Sequence, residues 1–202
     1  LNVLAIGAHP DDCEFGVFGT LHRHVKKGDK VTILVLTKGE QGGNCNMREA
    51  EATRAAKLLE SEIIFGEFQD GYLRDNHKLV NEIEEVINAA EADLVYTHSD
   101  KDRHQDHRYC SLASVAAARR VNTVLLFETP STVHGFIPQL FIDITDSVDV
   151  KLKSLRQHES QLPKRYLEEG AVTGLATYRA YQAGLPGRMA EAFEVVREVR
   201  QI

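Results

Sequence analysis

Leu1–Asp12 reads LNVLAIGAHPDD, and its passage from apolar run to polar tip decides the fold. Val3 to Gly7 shows no polar alternation, the pattern of a short strand buried on both faces rather than one open to water. The run stops abruptly at His9, Pro10, Asp11 and Asp12. A buried strand therefore carries an imidazole and two carboxylates to its own tip, which is the natural start of a metal site. Such a site needs a third ligand from elsewhere in the chain.

Further along, Phe15, Phe18, Leu21, His22 and Val25 recur at helical spacing, so 15–27 is read as a helix that Gly28-Asp29 stops. Val31 to Leu36 (VTILVL) reads as a second buried strand, followed by a polar loop from Thr37 to Asn46. Met47 to Glu60 is rich in alanine and glutamate–arginine pairs, which favour helix. The alternation continues with strands at 63–65, 94–97, 124–127 and 140–144, and helices at 79–90, 107–118 and 149–159. A last helix is expected over Gly187–Arg200, and a short one near Thr177–Ala183. Strand–helix alternation with apolar strands predicts an α/β fold: a Rossmann-like open, mostly parallel sheet with helices on both faces. No repeat or linker interrupts it, so residues 1–202 are read as a single domain. In such a sheet the site lies beyond the carboxyl ends of the strands, where strand order reverses. If strands one and four are neighbours there, AHPDD faces THSDKDRHQDH.

Composition narrows the classes. A net charge of −6 argues against nucleic acid and against anionic membrane, since both select basic surfaces. Cys13, Cys45 and Cys110 form neither a paired framework nor a metal-type spacing, and are read as reduced thiols of a cytoplasmic protein. The opening apolar run is too short for a signal-peptide core, and no stretch reaches the length of a membrane span. Gly39, Gly42 and Gly43 lack the GKS/T and dinucleotide spacings of phosphate loops.

A catalytic zinc ion takes about three protein ligands and leaves a position for water. His9 and Asp12 offer two from one tip. The second tip offers His104 and His107, three residues apart at a helix start, with Asp106 between them. Spacing does not say whether one or both histidines bind. Taken alone, Asp11 with Glu14 has capping-box spacing, and DKDRHQDHR resembles a hydrated charge run. Two strand tips that both carry His–Asp clusters favour the metal reading.

At these residues the sequence resembles the zinc-dependent de-N-acetylases of the LmbE-like, or PIG-L, family. Ala8–Asp12 followed by Gly16 and Gly19-Thr20-Leu21 resembles the first family motif, and His104-Gln105-Asp106-His107 the second. Thr37–Glu40, Arg48–Ala52, His158–Gln161 and Ala190–Phe193 extend the likeness along the chain. The resemblance implies that His9, Asp12 and His107 bind Zn2+ and that Asp11 is the general base. It further implies that His104, oriented by Asp106, stabilises the oxyanion or protonates the leaving amine, and that Arg48 contacts the sugar. The implied substrate is a small N-acetylglucosamine-type conjugate, and a homo-oligomer is compatible with the likeness. If the tip is extended, Asp11 and Asp12 point opposite ways and can take different roles. Some relatives carry a tyrosine beside the oxyanion in the late segment; the position here is Ala171, with Tyr166 and Tyr178 as candidate substitutes. The competing readings are another metal-dependent hydrolase, an esterase or phosphatase, and a non-catalytic sugar-binding protein. The presence of both Asp11 and His104 argues against the last.

Overall fold

The computed structural model describes residues 1–199. In chain order it runs β1 (Asn2–Gly7), α1 (Asp12–Gly16), α2 (Phe18–Lys27), β2 (Lys30–Thr37), α3 (Cys45–Lys57), β3 (Glu62–Phe68) and α4 (His77–Ala89). It continues with β4 (Leu94–His98), α5 (Gln105–Ala117), β5 (Thr123–Phe127), β6 (Leu140–Asp143), α6 (Val148–Leu155), α7 (Glu169–Gln182) and β7 (Ala190–Glu198). Among the described residues no helix is long and apolar enough to cross a membrane.

The strands form one sheet in the order β3-β2-β1-β4-β5-β7-β6. Pairing is parallel from β3 to β5, and β7 lies antiparallel to both β5 and β6. Alternate side chains of β1 feed two separate cores. Val3 and Ala5 pack with Val31, Ile33, Tyr96 and, from α2, Phe18 and Leu21. Leu4 and Ile6 pack on the other face with Leu34, Val95 and the apolar sides of α4 and α5. Both faces of β1 are thus dry, which is why its sequence shows no polar alternation. β2 and β3 lie to one side of β1 and β4 and β5 to the other, so strand order reverses between β1 and β4 and their carboxyl ends open on one crevice.

Two elements depart from the sequence reading, and a third, the short helix expected near Thr177–Ala183, is the end of the longer α7. The helix expected over 15–27 is two helices that meet at Val17, and the helix expected over Gly187–Arg200 is β7, with Arg200 outside the described residues. Alanine and glutamate suggest helix, but the segment is captured between β5 and β6, where strand pairing overrides local propensity. Phe193 then packs 5.1 Å from the Tyr96 ring, and Glu191 accepts from the Gly19 and Thr20 amides at the start of α2 and pairs with buried Lys151. The acidic residue that resembles helix surface in the sequence caps another helix instead.

Gly16 lets α1 approach the sheet: a Cβ there would fall 2.2 Å from the Phe127 ring. Gly16→Ala should therefore lower stability by about 1–3 kcal/mol through overpacking. The check is a lower urea midpoint with an unchanged m value.

Candidate active site

The tip of β1 does not continue as an extended strand. Asp11 takes a left-handed conformation (φ 103°) immediately before α1, and its side chain makes no capping bond. A non-glycine residue held at positive φ is costly and marks a constrained site. The turn separates two adjacent carboxylates. Asp12 accepts from the His9 amide and lies 3.4 Å from His9 Nδ1 and 3.3 Å from His107 Nε2. Asp11 faces the other way, 3.5 Å from Arg48 Nη2, with its Oδ2 buried and unpartnered. The divergence expected of an extended tip is real, but a left-handed turn produces it.

The loop after β4 supplies the opposite wall. His104 is the N-cap of α5: its Nδ1 accepts from the Asp106 amide at 3.3 Å, which leaves the ring proton on Nε2. His107 is sandwiched between two imidazoles, His98 at 4.1 Å and His104 at 4.5 Å between ring centroids. The family likeness puts Asp106 behind His104. Its carboxylate instead lies 3.3 Å from His9 Nε2 and accepts from the Gly71 amide, because the first turn of α5 swings residue 106 inward beneath the N-cap.

Arg48 is buried rather than an exposed helix charge. It donates from Nη1 to the Gly39 carbonyl and from Nη2 to the Pro10 carbonyl, both at 2.7 Å. Gly39 has φ +65°, and a Cβ there would stand 2.1 Å from Arg48 Nη1, so glycine is required for this guanidinium to reach the tip.

Asp102 and Asp70 lie outside the sequence reading, whereas His98 is legible as the residue that ends strand four. Asp102 accepts from the His104 amide, Thr129 Oγ1 and Ser131 Oγ and lies 3.1 Å from His107 Nδ1. Asp70, from the loop after β3, stands 3.0 Å from His9 Nε2. His98, at the end of β4, puts Nε2 3.1 Å from Asp12 Oδ2. A density of Asp and His at strand ends is the available signal, but the partners are brought together only by the sheet. Ala171 is exposed on α7 and does not line the cavity, whereas Tyr166 does, beside Asp11 and Asp12. Tyr178 is exposed, and His134 lies off the cavity wall. The cavity holds about 850 Å³ and is lined by His9, Asp11, Asp12, Arg48, His104, His107 and their neighbours.

Electrostatics divides the two aspartates. Burial, then repulsion from Asp12, pushes Asp11 up to about 6 against the pull of Arg48. Burial also opposes charge on Asp12, but His107 and His98 hold it well below the usual carboxylate range. Burial opposes charge on His107 too, yet Asp12 and Asp102 raise it to about 9. His9 is likewise raised, with Asp106, Asp12 and Asp70 outweighing burial. Burial, then His107 and His9, lowers His104. Burial, then Asp11 and Asp12, raises Tyr166, so its phenol stays a donor.

These groups fit a divalent cation. Donor atoms lie within 4.8 Å of one another in three overlapping sets: His9–His104–His107, Asp12–His98–His107 and His9–Asp70–Asp106. Asp12 bridges the first two, and Asp106 Oδ1 is buried without a partner. A carboxylate cluster that raises the pKa of two imidazoles is demanding positive charge, which a metal ion also supplies.

Residues 4–118 match the family model described as PIG-L, GlcNAc-PI de-N-acetylase. The chain belongs to the PIG-L family. The matched stretch holds both strand tips and Arg48 but stops before Lys164 and Tyr166. Among PIG-L relatives, the uncharacterized deacetylase YaiS of Escherichia coli (strain K12) is 38% identical over 168 residues, covering 78% of this chain and 90% of that protein. The diacetylchitobiose deacetylase of Thermococcus kodakarensis is 29% identical over 213 residues, covering 90% of this chain and 79% of that protein. The crystal structure of the conserved protein TT1542 from Thermus thermophilus superposes with a TM-score of 0.89 at 26% identity, covering 100% of this chain and 97% of that one.

Metal uptake should release protons. A pKa raised to about 9 leaves His107 protonated at pH 7.5 in the metal-free protein, His9 is shifted in the same direction, and a metal ligand must be neutral. Calorimetric zinc titration in buffers of different ionisation enthalpy should report proton release on binding, with His107 as one source. Fewer should be released as pH rises past 9, where His107 has already lost its own.

Proposed function

We propose that the chain is a zinc-dependent hydrolase that removes the N-acetyl group from an N-acetylglucosamine-type sugar or its conjugate. The observation that carries this reading is the opposed pair Asp11 and Asp12: one carboxylate with a pKa raised to about 6, the other held low among imidazoles. Neighbouring titratable groups pushed apart in this way divide naturally into a proton acceptor and a charge holder. The deacetylase names of the PIG-L relatives point to the same reaction, and the diacetylchitobiose enzyme to the sugar class.

His9, Asp12 and His107 would hold the zinc, with Asp106 and Asp70 behind His9 and Asp102 behind His107 fixing the ring orientations. Zinc bound there would polarise the acetamide carbonyl and acidify a water. Asp11 takes the proton of the attacking water as its oxygen joins the carbonyl carbon, and Arg48 keeps the Asp11 carboxylate turned toward the cavity. His104 presents Nε2–H to the developing oxyanion without needing a positive charge, which suits its lowered pKa. Tyr166 adds a phenol donor on the same wall. When the C–N bond breaks, the proton held by Asp11 passes to the nitrogen, and acetate and a free amine result. Arg48 lines the same wall, so we retain the sugar contact that the family likeness implies.

The test is a primary-amine assay with metal content measured on the same sample. Asp11→Ala should keep its zinc and lose about 10²–10⁴ in kcat. His107→Ala should lose the zinc. Equal metal loss in both variants would contradict the division of roles.

A further inference from the structure

The hydrolysis proposed above leaves one buried polar cluster without a role. Glu14, Glu51, His158 and Gln161 are each at most 3% exposed. Among the described residues, His158 Nδ1 and Gln161 Oε1 have no hydrogen-bond partner, and neither do Arg48 Nε and Asp11 Oδ2 beside them. Polar groups buried with open valences cost stability, so holding the fold together is a poor account of this cluster. A buried His–Glu pair likewise adds little stability over an apolar pair of the same size.

The cluster has a plan. Glu14 stands three residues beyond Asp11 in α1, and Glu51 three residues beyond Arg48 in α3. His158–Gln161, a tight turn after α6, reaches both acids. His158 Nε2 lies 3.3 Å from Glu14 Oε1, and Glu51 accepts from the Ser160 amide at 2.8 Å and from Ser160 Oγ at 2.7 Å. Burial opposes charge on His158, but Glu14, then Asp11 and Glu51, raise its pKa, so three acids converge on one ring. Gln161 Nε2 donates to the Gly42 carbonyl at 3.2 Å. Gly42 in turn packs against Arg48: a Cβ there would fall 2.5 Å from Arg48 Nη1 and 3.6 Å from Gln161 Oε1. One short turn thus fastens α1, α3 and the loop after β2, the elements that carry Asp11, Arg48 and the Gly39 carbonyl to which Arg48 donates.

The Arg48–Asp11 contact itself is long, 3.5 Å, so its geometry depends on what holds each element from behind. We infer that His158–Gln161 is a positioning segment for the reaction: by tying Glu14, Glu51 and Gly42 together it keeps Arg48 against Asp11 and so aims the Asp11 carboxylate at the attacking water. This rests on the deacetylase reading of the cavity.

The test uses Ser160→Ala and Gln161→Met, alone and in an Arg48→Ala background, on the zinc-loaded protein with N,N'-diacetylchitobiose as the probe. Each single variant should keep its zinc and its KM and lose about tenfold or more in kcat, the scale of a small misplacement of a reacting group. In the Arg48→Ala background the same substitutions should change kcat by less than about twofold, because a segment that works through Arg48 has nothing left to position. A general loss of packing would lower kcat equally in both backgrounds and would overturn the inference. Ser160→Ala removes one hydroxyl from a half-buried site, so it stays readable if Gln161→Met unfolds. Nitrogen-15 NMR adds a readout without turnover: Arg48 Nε–H is buried, and its exchange with solvent should quicken in both single variants. Unchanged kcat, or slow exchange retained, in both variants would overturn the inference and leave the deacetylase reading standing. Quickened exchange in a protein that releases no amine would uphold the hold on Arg48 and contradict the reaction.

Discussion

A carboxylate buried at Asp12 has to be answered by positive charge, and much of the site is arranged around that demand. Removing an ionised carboxyl from water costs several kcal/mol unless charge and hydrogen bonds are returned to it. The imidazoles of His9, His98 and His107 surround Asp12, and a further layer of carboxylates, Asp70, Asp106 and Asp102, stands behind two of them. The sheet makes this layering possible. β1 and β4 pair in parallel at the reversal of strand order, so two tips far apart in the chain open on one crevice. Asp11 belongs to the same tip but escapes the cluster through its left-handed turn. It faces Arg48 instead, and burial with repulsion from Asp12 leaves it close to protonation. Two adjacent aspartates thus acquire different chemistry from a single backbone angle.

The parts legible in the sequence are those governed by local rules. β1 and β2 are dry on both faces and read as continuous apolar runs; the AHPDD tip and the His–Asp loop after β4 stand at strand ends, where ligands collect. The parts not legible depend on distant partners. β7 carries alanines and glutamates that favour helix in isolation, and becomes a strand because β5 and β6 flank it. Asp70 finds His9 from a different strand end, and no spacing announces it. The family likeness matches Asp106 with His104, whereas the N-cap geometry of α5 turns it onto His9. Arg48 reads as readily as an exposed helix charge as a site residue; only the room made by Gly39 decides between them. Tyr166, one of the two substitutes for Ala171 that the sequence offers, occupies the cavity wall, and only the fold chooses it over exposed Tyr178.

The cavity is layered by charge, acidic at the bottom and basic at the mouth. The inner layer suits a cation and a proton acceptor. The outer layer draws on Lys164, beyond the matched stretch, and on arginines beside the second motif.

The central claim is that His9, Asp12 and His107 share one metal ion. Diffraction at the zinc absorption edge from crystals of the zinc-loaded protein tests it directly. The account predicts one anomalous peak with nitrogen and oxygen ligands from these three residues at about 2.0–2.2 Å. A peak held instead by Asp70 and Asp106, or one that takes His98 in place of His9, would contradict it.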